Sequence, residues 1–172
     1  MTKQVSEYLF EEFLSIHTKA TTEDLYLEFS TKMVLPVSLD FLSHKTLFQI
    51  FTHKSFHHEM NRKFEHNERL EFLGDAVLEL IVTEFILKKY PELNEGELSK
   101  FRSSLVNENS LYKLAMTLNL GSSILLGKGE LKSEGQKKPS ILSDTFEAML
   151  GGIYLECGCL LYTSDAADEE DS

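Results

Sequence analysis

Asn67-Glu68-Arg69-Leu70-Glu71-Phe72-Leu73-Gly74-Asp75-Ala76-Val77-Leu78 is the stretch that decides the fold. It sets three carboxylates, Glu68, Glu71 and Asp75, at i, i+3 and i+7 inside a strongly apolar run. At about 100° per residue of an α-helix, the three fall within about 60° of one another. Leu70, Leu73, Val77, Leu80 and Ile81 fall on the opposite side, so the segment predicts a helix with an apolar back and an acidic front. Like charges at this spacing repel by about 0.2–0.5 kcal/mol per pair. Such a row is either a solvated face, the commoner case, or a place where a cation belongs, a divalent metal above all. Phe72 lies near the acidic row and away from the apolar back. An aromatic there is either an exposed ring or part of an interface.

A second segment has the same design. In Ser140-Ile141-Leu142-Ser143-Asp144-Thr145-Phe146-Glu147-Ala148-Met149-Leu150-Gly151-Gly152, Asp144 and Glu147 stand at i and i+3, with Leu142, Phe146, Leu150 and Ile153 on the other side. Two helices with apolar backs and carboxylate fronts can pack so that the fronts converge. Oxygen ligands from two rigid helices suit Mg2+ or Mn2+. Gly151-Gly152 inside an apolar helix costs about 1 kcal/mol per glycine, which implies a reason such as close helix packing.

Elsewhere the pattern is all helical. Val5 to His17 reads as a short amphipathic helix, and Thr22 as the N-cap of another. Pro36 marks the entry to the main domain, and Leu39 to His53 gives one or two short helices. Asn67 to about Lys89 is a long helix of roughly 34 Å, stopped by Pro91. Asn94 with Glu97 forms a capping-box start. Asn107 breaks that helix before Leu111 to Leu118, Gly121 ends the next, and Gly127 to Pro139 reads as a loop. Ser140 to about Glu156 is the last helix. No repeat, alternating strand pattern or heptad is present. His53 and His57 are i and i+4, a spacing zinc sites use, but no third ligand accompanies them, and packing or surface roles are expected.

The chain has 172 residues and a net charge of −11, which on its face disfavours a nucleic-acid partner. Five of those charges, Asp165, Asp168, Glu169, Glu170 and Asp171, sit in one terminal stretch that holds no base. Others are the candidate metal ligands, which a bound cation neutralises. Bases gather locally: Lys128, Lys132, Lys137 and Lys138 in one glycine-containing segment, and Lys54, Arg62 and Lys63 in another. Such segments can track phosphates. No apolar run is long enough to span a membrane, Met1 to Val5 does not resemble a secretory signal, and two cysteines at 157 and 159 suit a reducing cytoplasm.

The stretch from Asn67 to Leu78 resembles the signature motif of the ribonuclease III endonuclease domain. Further blocks follow that family's order and spacing: Thr52-His53-Lys54-Ser55, Asn94 to Lys100, Leu105-Val106-Asn107, Leu125 to Glu130, and Ser140 to Gly152. The resemblance implies an all-α endonuclease domain over 36–157, preceded by a helical extension over 1–35 and followed by an acidic tail over 158–172. It further implies a chain cut off before the double-stranded-RNA-binding domain that many bacterial members carry. Glu71, Asp75, Asp144 and Glu147 become the metal carboxylates, with Asp75 and Glu147 central to catalysis. Glu68 and Glu95 fall at the cleft edge, Phe72 in a homodimer contact, and Lys128, Lys132, Lys137 and Lys138 near RNA. The implied activity is Mg2+-dependent (or Mn2+-dependent) hydrolysis of double-stranded RNA to 5′-phosphate and 3′-hydroxyl ends, in RNA processing. The alternative is a catalytically silent RNA-binding or scaffold protein on the same fold. A carboxylate-bridged redox bundle is disfavoured, because Gly74 and Leu150 stand where its Glu-x-x-His motifs need histidines.

Overall fold

The computed structural model describes residues 39–158 together with Leu27 and Phe29. The expectations for Val5 to His17, Thr22, Pro36 and the acidic stretch after Gly158 lie outside the described residues. Seven α-helices are described: α1 (His44–Phe51), α2 (Lys54–Glu59), α3 (Glu68–Lys89), α4 (Glu95–Leu105), α5 (Glu108–Thr117), α6 (Lys128–Lys132) and α7 (Pro139–Cys157). Two 3-10 turns, Leu120–Ser122 and Gly135–Lys137, join them. No strand occurs among the described residues, only an isolated parallel bridge between Thr52 and Leu125.

The boundaries follow from local chemistry. Asn94 and Glu97 form the expected capping box: Asn94 Oδ1 accepts from the Glu97 N–H at 3.1 Å, and Glu97 Oε2 accepts from the Asn94 N–H at 2.9 Å. Asn107 caps α5 by accepting from the Ser110 N–H at 3.0 Å. Asn67 precedes α3, yet its side chain caps nothing; buried, it donates to the Ile50 carbonyl at 3.3 Å and ties α3 to α1. The far end of α7 is fastened to the start of α1, where Glu156 accepts from the Ser43 N–H at 2.7 Å and from the Ser43 and Thr46 hydroxyls.

The core centres on α7, which packs most extensively on α3 and then on α5. The α3–α7 crossing is set by glycine. A Cβ on Gly74 would lie 1.7 Å from the Glu147 carbonyl oxygen, and one on Gly151 would lie 2.1 Å from that of Leu70. The backbones therefore meet where any side chain would hold them apart. A second, aromatic part of the core holds Phe29, Phe48, Phe51, Phe56 and Phe64, with ring centroids 4.9–6.4 Å apart.

Three expectations need correction. The buried face of α3 is Leu70, Gly74, Val77, Leu78 and Ile86; Leu80 is 56% exposed, and Leu73 and Ile81 are half-buried. The apolar back is rotated toward Gly74, because the closest neighbour approaches there. The helix ending at Thr117 is stopped by Asn119, held in the left-handed region at φ 52°, and Gly121 lies in the following 3-10 turn. Gly127 to Pro139 is no irregular loop: it folds into α6 and a 3-10 turn, each too short to show a period, and Pro139 is the first residue of α7.

Candidate metal centre

Glu71 projects from α3, one turn before the Gly74 contact. Asp144 and Glu147 project from α7, Glu147 at that contact itself. With the backbones this close, one carboxylate oxygen from each of Glu71, Asp144 and Glu147 lies within 4.8 Å of the other two. All three residues are half-buried. Desolvation pushes Glu71 up to about 7, helped by Asp144 and Glu68 and opposed by Lys54. Glu147 is likewise pushed up to about 7, by burial first and then by Asp75, Asp144 and Glu71. Asp144 is raised by burial and by Glu108, while the Ser143 hydroxyl opposes the shift. Three half-buried acids that resist ionising beside one another form a donor set a cation would relieve. All-oxygen ligands fit a hard divalent ion such as Mg2+ or Mn2+.

Asp75 stands apart from the triad. It is exposed, one turn further along α3, and lines an adjoining cleft of about 200 Å³ with Glu79, Asn107, Glu108, Ser143, Asp144 and Glu147. Three of the four expected carboxylates are thus brought into one cluster and the fourth beside it. Glu68 is at the edge, paired with Lys54 at 3.0 Å. That hydrogen bond holds the Glu68 carboxyl below its usual range and raises Lys54. Lys54 also feels Glu71 and Asp144, so a cation from the Thr52-to-Ser55 motif borders the centre. Glu95 is exposed on the first turn of α4, accepts from the Ser99 hydroxyl at 2.9 Å, and lines neither the triad nor the cleft.

Two acids of the cleft were missed. Glu79 continues the acidic row of α3, about 20° from Glu68 by helical angle, and that signal was in the sequence. Glu108 follows the Asn107 cap, and only the packing of α5 on α7 brings it to Asp144. The lysine-rich segment is more self-contained than its composition suggests. Lys138 pairs with Glu130 at 2.6 Å and Lys137 pairs with Glu134, while Lys132 is exposed and the backbone N–H of Lys128, not its side chain, donates to Glu59 at 2.7 Å. Phe72 is 83% exposed. His53 and His57 make local hydrogen bonds, to Ser55 and to the Phe64 carbonyl. Among the described residues, the only group arranged to hold a metal is Glu71, Asp144 and Glu147.

An all-helical domain whose two main helices cross on glycine and present carboxylates there defines a class, and comparison with known proteins gives its family. Residues 43–163 match the family model Ribonuclease-III-like. Proteins named Ribonuclease 3 from Bacillus velezensis and Bacillus licheniformis are each 50% identical over 123 residues, covering 71% of this chain and 49% of theirs. The chain thus spans about half the length of the curated relatives it matches. The nuclease domain of ribonuclease III from Campylobacter jejuni superposes with a TM-score of 0.64 at 42% identity, covering 86% of this chain and 93% of that one. A second structure of that domain, described as flexible in the region involved in dimer formation, gives 0.63 at 48% identity over 72% and 82%. The chain belongs to the ribonuclease III family.

Proposed function

We propose that this chain is a divalent-metal-dependent endoribonuclease that hydrolyses phosphodiester bonds of double-stranded RNA, leaving 5′-phosphate and 3′-hydroxyl ends. The convergence of Glu71, Asp144 and Glu147 within 4.8 Å at the α3–α7 crossing carries this reading, and family membership supplies the substrate class. Glu71, Asp144 and Glu147 hold the ion, Mg2+ by preference, with Mn2+ as a substitute. Bound there, it supplies Lewis acidity, an activated water and charge stabilisation on the leaving oxygen. Asp75 faces the cleft beside Glu147, where a carboxylate can orient water or complete the shell. Glu68 restrains Lys54 at the rim, and Glu95, exposed on α4, stands outside the cleft. A-form duplexes display little sequence in their deep major groove, so recognition rests on shape, phosphates and 2′-hydroxyls, with Lys128, Lys132, Lys137 and Lys138 as a basic segment able to meet phosphates. Phe72 seats in a second copy of the chain, so that a homodimer offers one centre to each strand. Among the described residues no helix is long and apolar enough to cross a membrane, and we place the activity in cytoplasmic RNA processing.

The test is Glu147→Gln, which preserves shape and removes one charge from the shell. Duplex binding rests on distributed contacts and should survive. The single-turnover cleavage rate should fall by orders of magnitude, with partial recovery in excess Mn2+. Cleavage at the normal rate would exclude Glu147 as a ligand. A chain that binds duplex RNA and never cuts it under any divalent ion would be a scaffold on this fold.

A further inference from the structure

His53 caps α2 through its ring. The Ser55 N–H donates to His53 Nδ1 at 3.2 Å, and Ser55 Oγ lies 2.8 Å from the same nitrogen. The Gly127 N–H donates to that Oγ at 2.9 Å, and because the Ser55 N–H already makes Nδ1 an acceptor, the hydroxyl proton is directed to Nδ1 as well. A ring nitrogen that accepts from two donors carries no proton. The neutral imidazole therefore carries its proton on Nε2, the nitrogen turned away from the main chain. Nε2 has no hydrogen-bond partner among the described residues. Burial favours the neutral ring, lowering its pKa against the pull of Glu130.

The ring lines an open cleft with Lys54, Ser55, His58, Glu59 and Glu130. Three charged groups there are already engaged within the protein. Lys54 is held by Glu68 at 3.0 Å, Glu130 by Lys138 at 2.6 Å, and Glu59 by the Lys128 N–H at 2.7 Å. Lys54 and Glu130 are thus neutralised by partners, while Glu59 keeps its charge and is satisfied only by a backbone amide; to these the cleft adds a neutral N–H donor. It adjoins the metal centre, because Lys54, the next residue, feels Glu71 and Asp144.

We propose that His53 contacts the substrate, its Nε2–H donating to an acceptor oxygen of the duplex RNA backbone, either a phosphate or a 2′-hydroxyl. This rests on the duplex-RNA reading above. The experiment compares the full chain with its His53→Asn variant by gel shift on one RNA duplex without divalent ion, together with thermal melting and Mn2+ titration. Asparagine is among the best N-cap residues, so its Oδ1 can take over the Ser55 N–H, while the far donor is lost. The variant should melt no lower and bind Mn2+ equally. Its duplex affinity should fall about tenfold, the value of one hydrogen bond. The salt dependence should keep its slope, since a neutral donor releases no counterion. A loss that vanishes on a 2′-fluoro duplex, which keeps the A-form shape and lacks the hydroxyls, identifies the 2′-hydroxyl as acceptor; one that persists identifies the phosphate. Unchanged affinity, or a loss accompanied by a lower melting temperature and weaker Mn2+ binding, overturns the assignment to His53 and leaves the proposed function standing. Failure of the unmutated chain to bind the duplex overturns both.

Discussion

Gly74 and Phe72 are two residues apart on α3 and have opposite surroundings. Gly74 is buried against the backbone of α7, with no room for a Cβ beside the Glu147 carbonyl. Phe72 is 83% exposed, on a side that also shows Ala76, Leu80 and Leu87 to solvent. Both sides are apolar in sequence, and only one is core. The inner side is chosen by how closely a partner backbone can approach, which glycine permits and phenylalanine forbids. The clustered carboxylates sit beside the inner side because that close approach is what brings Glu71 to Asp144 and Glu147.

The largest way to break this contrast is Gly74→Ala. The added methyl meets a backbone carbonyl in the middle of α7, which cannot swing aside as a flexible side chain could. The cost should exceed the about 1–3 kcal/mol of ordinary overpacking, read as a lower urea midpoint. Any protein that stays folded should bind Mn2+ more weakly, because the helices must part at the place where the carboxylates converge. Unchanged stability would mean that the crossing is looser than described.

A second effect tests the electrostatics of the inner side. Without metal, Glu71 and Glu147 have pKa values raised to about 7, against an ordinary 4.5. Between those values the native state binds more protons than the unfolded chain, so their stabilisation is full below about 4.5 and is lost as pH rises to about 7. His53, with a lowered pKa, works in the opposite direction below its ordinary 6.5. The difference in melting temperature between the unmutated protein and a Glu71→Gln, Glu147→Gln double variant isolates the acids. Relative to the variant, the metal-free protein should lose stability from pH 5 to pH 8, and Mn2+ should restore it most at pH 8. A flat difference would remove the strained triad.

How much was legible follows from the same contrast. The helix from Glu68 to Lys89 was readable from its length, its acidic row and the Pro91 stop, and the capping box at Asn94 was readable residue by residue. The triad's members were readable, because i, i+3 spacing fixes two carboxylates to one face whatever the tertiary fold. Leu80 was misplaced because periodicity gives the angle of a face but not which part of a wide apolar arc meets a neighbour. Gly74 held that information, and glycine carries no weight in a hydrophobic pattern. Glu108 could not be found, since its approach to Asp144 depends on two helices meeting. The folded segment after Gly127 was missed because a five-residue helix is shorter than the window in which a period shows.

A third prediction sharpens the outer side. If Phe72 is an interface anchor, Phe72→Ala should raise the dimer dissociation constant by ten-fold or more, in the range of aromatic hot spots. Melting of the dilute monomer should barely move. Sedimentation velocity over a concentration series separates the two quantities. An unmutated chain that stays monomeric at tens of micromolar, about 10⁻⁵ M and well above many dimer constants, would leave the exposed side of α3 without a second copy to cover it.

The smallest effect is the cleanest control, since it compares the same side chain on the two sides of one helix. Leu78 is 9% exposed and Leu80 is 56% exposed. Leu78→Ala removes buried methyl groups and leaves a cavity, which costs about 2–5 kcal/mol. Leu80→Ala in dilute monomer removes groups already in water, and surface changes of this kind stay within about 0.5 kcal/mol. Helix propensity does not blur the comparison, because leucine and alanine are both strong helix formers and the positions are both mid-helix. Chemical denaturation of the two variants at a concentration where the unmutated chain is monomeric gives both numbers. Equal costs would show that Leu80 is buried in solution, by association or by chain outside the described residues. A large cost at Leu80 that disappears on dilution would assign that burial to a second copy.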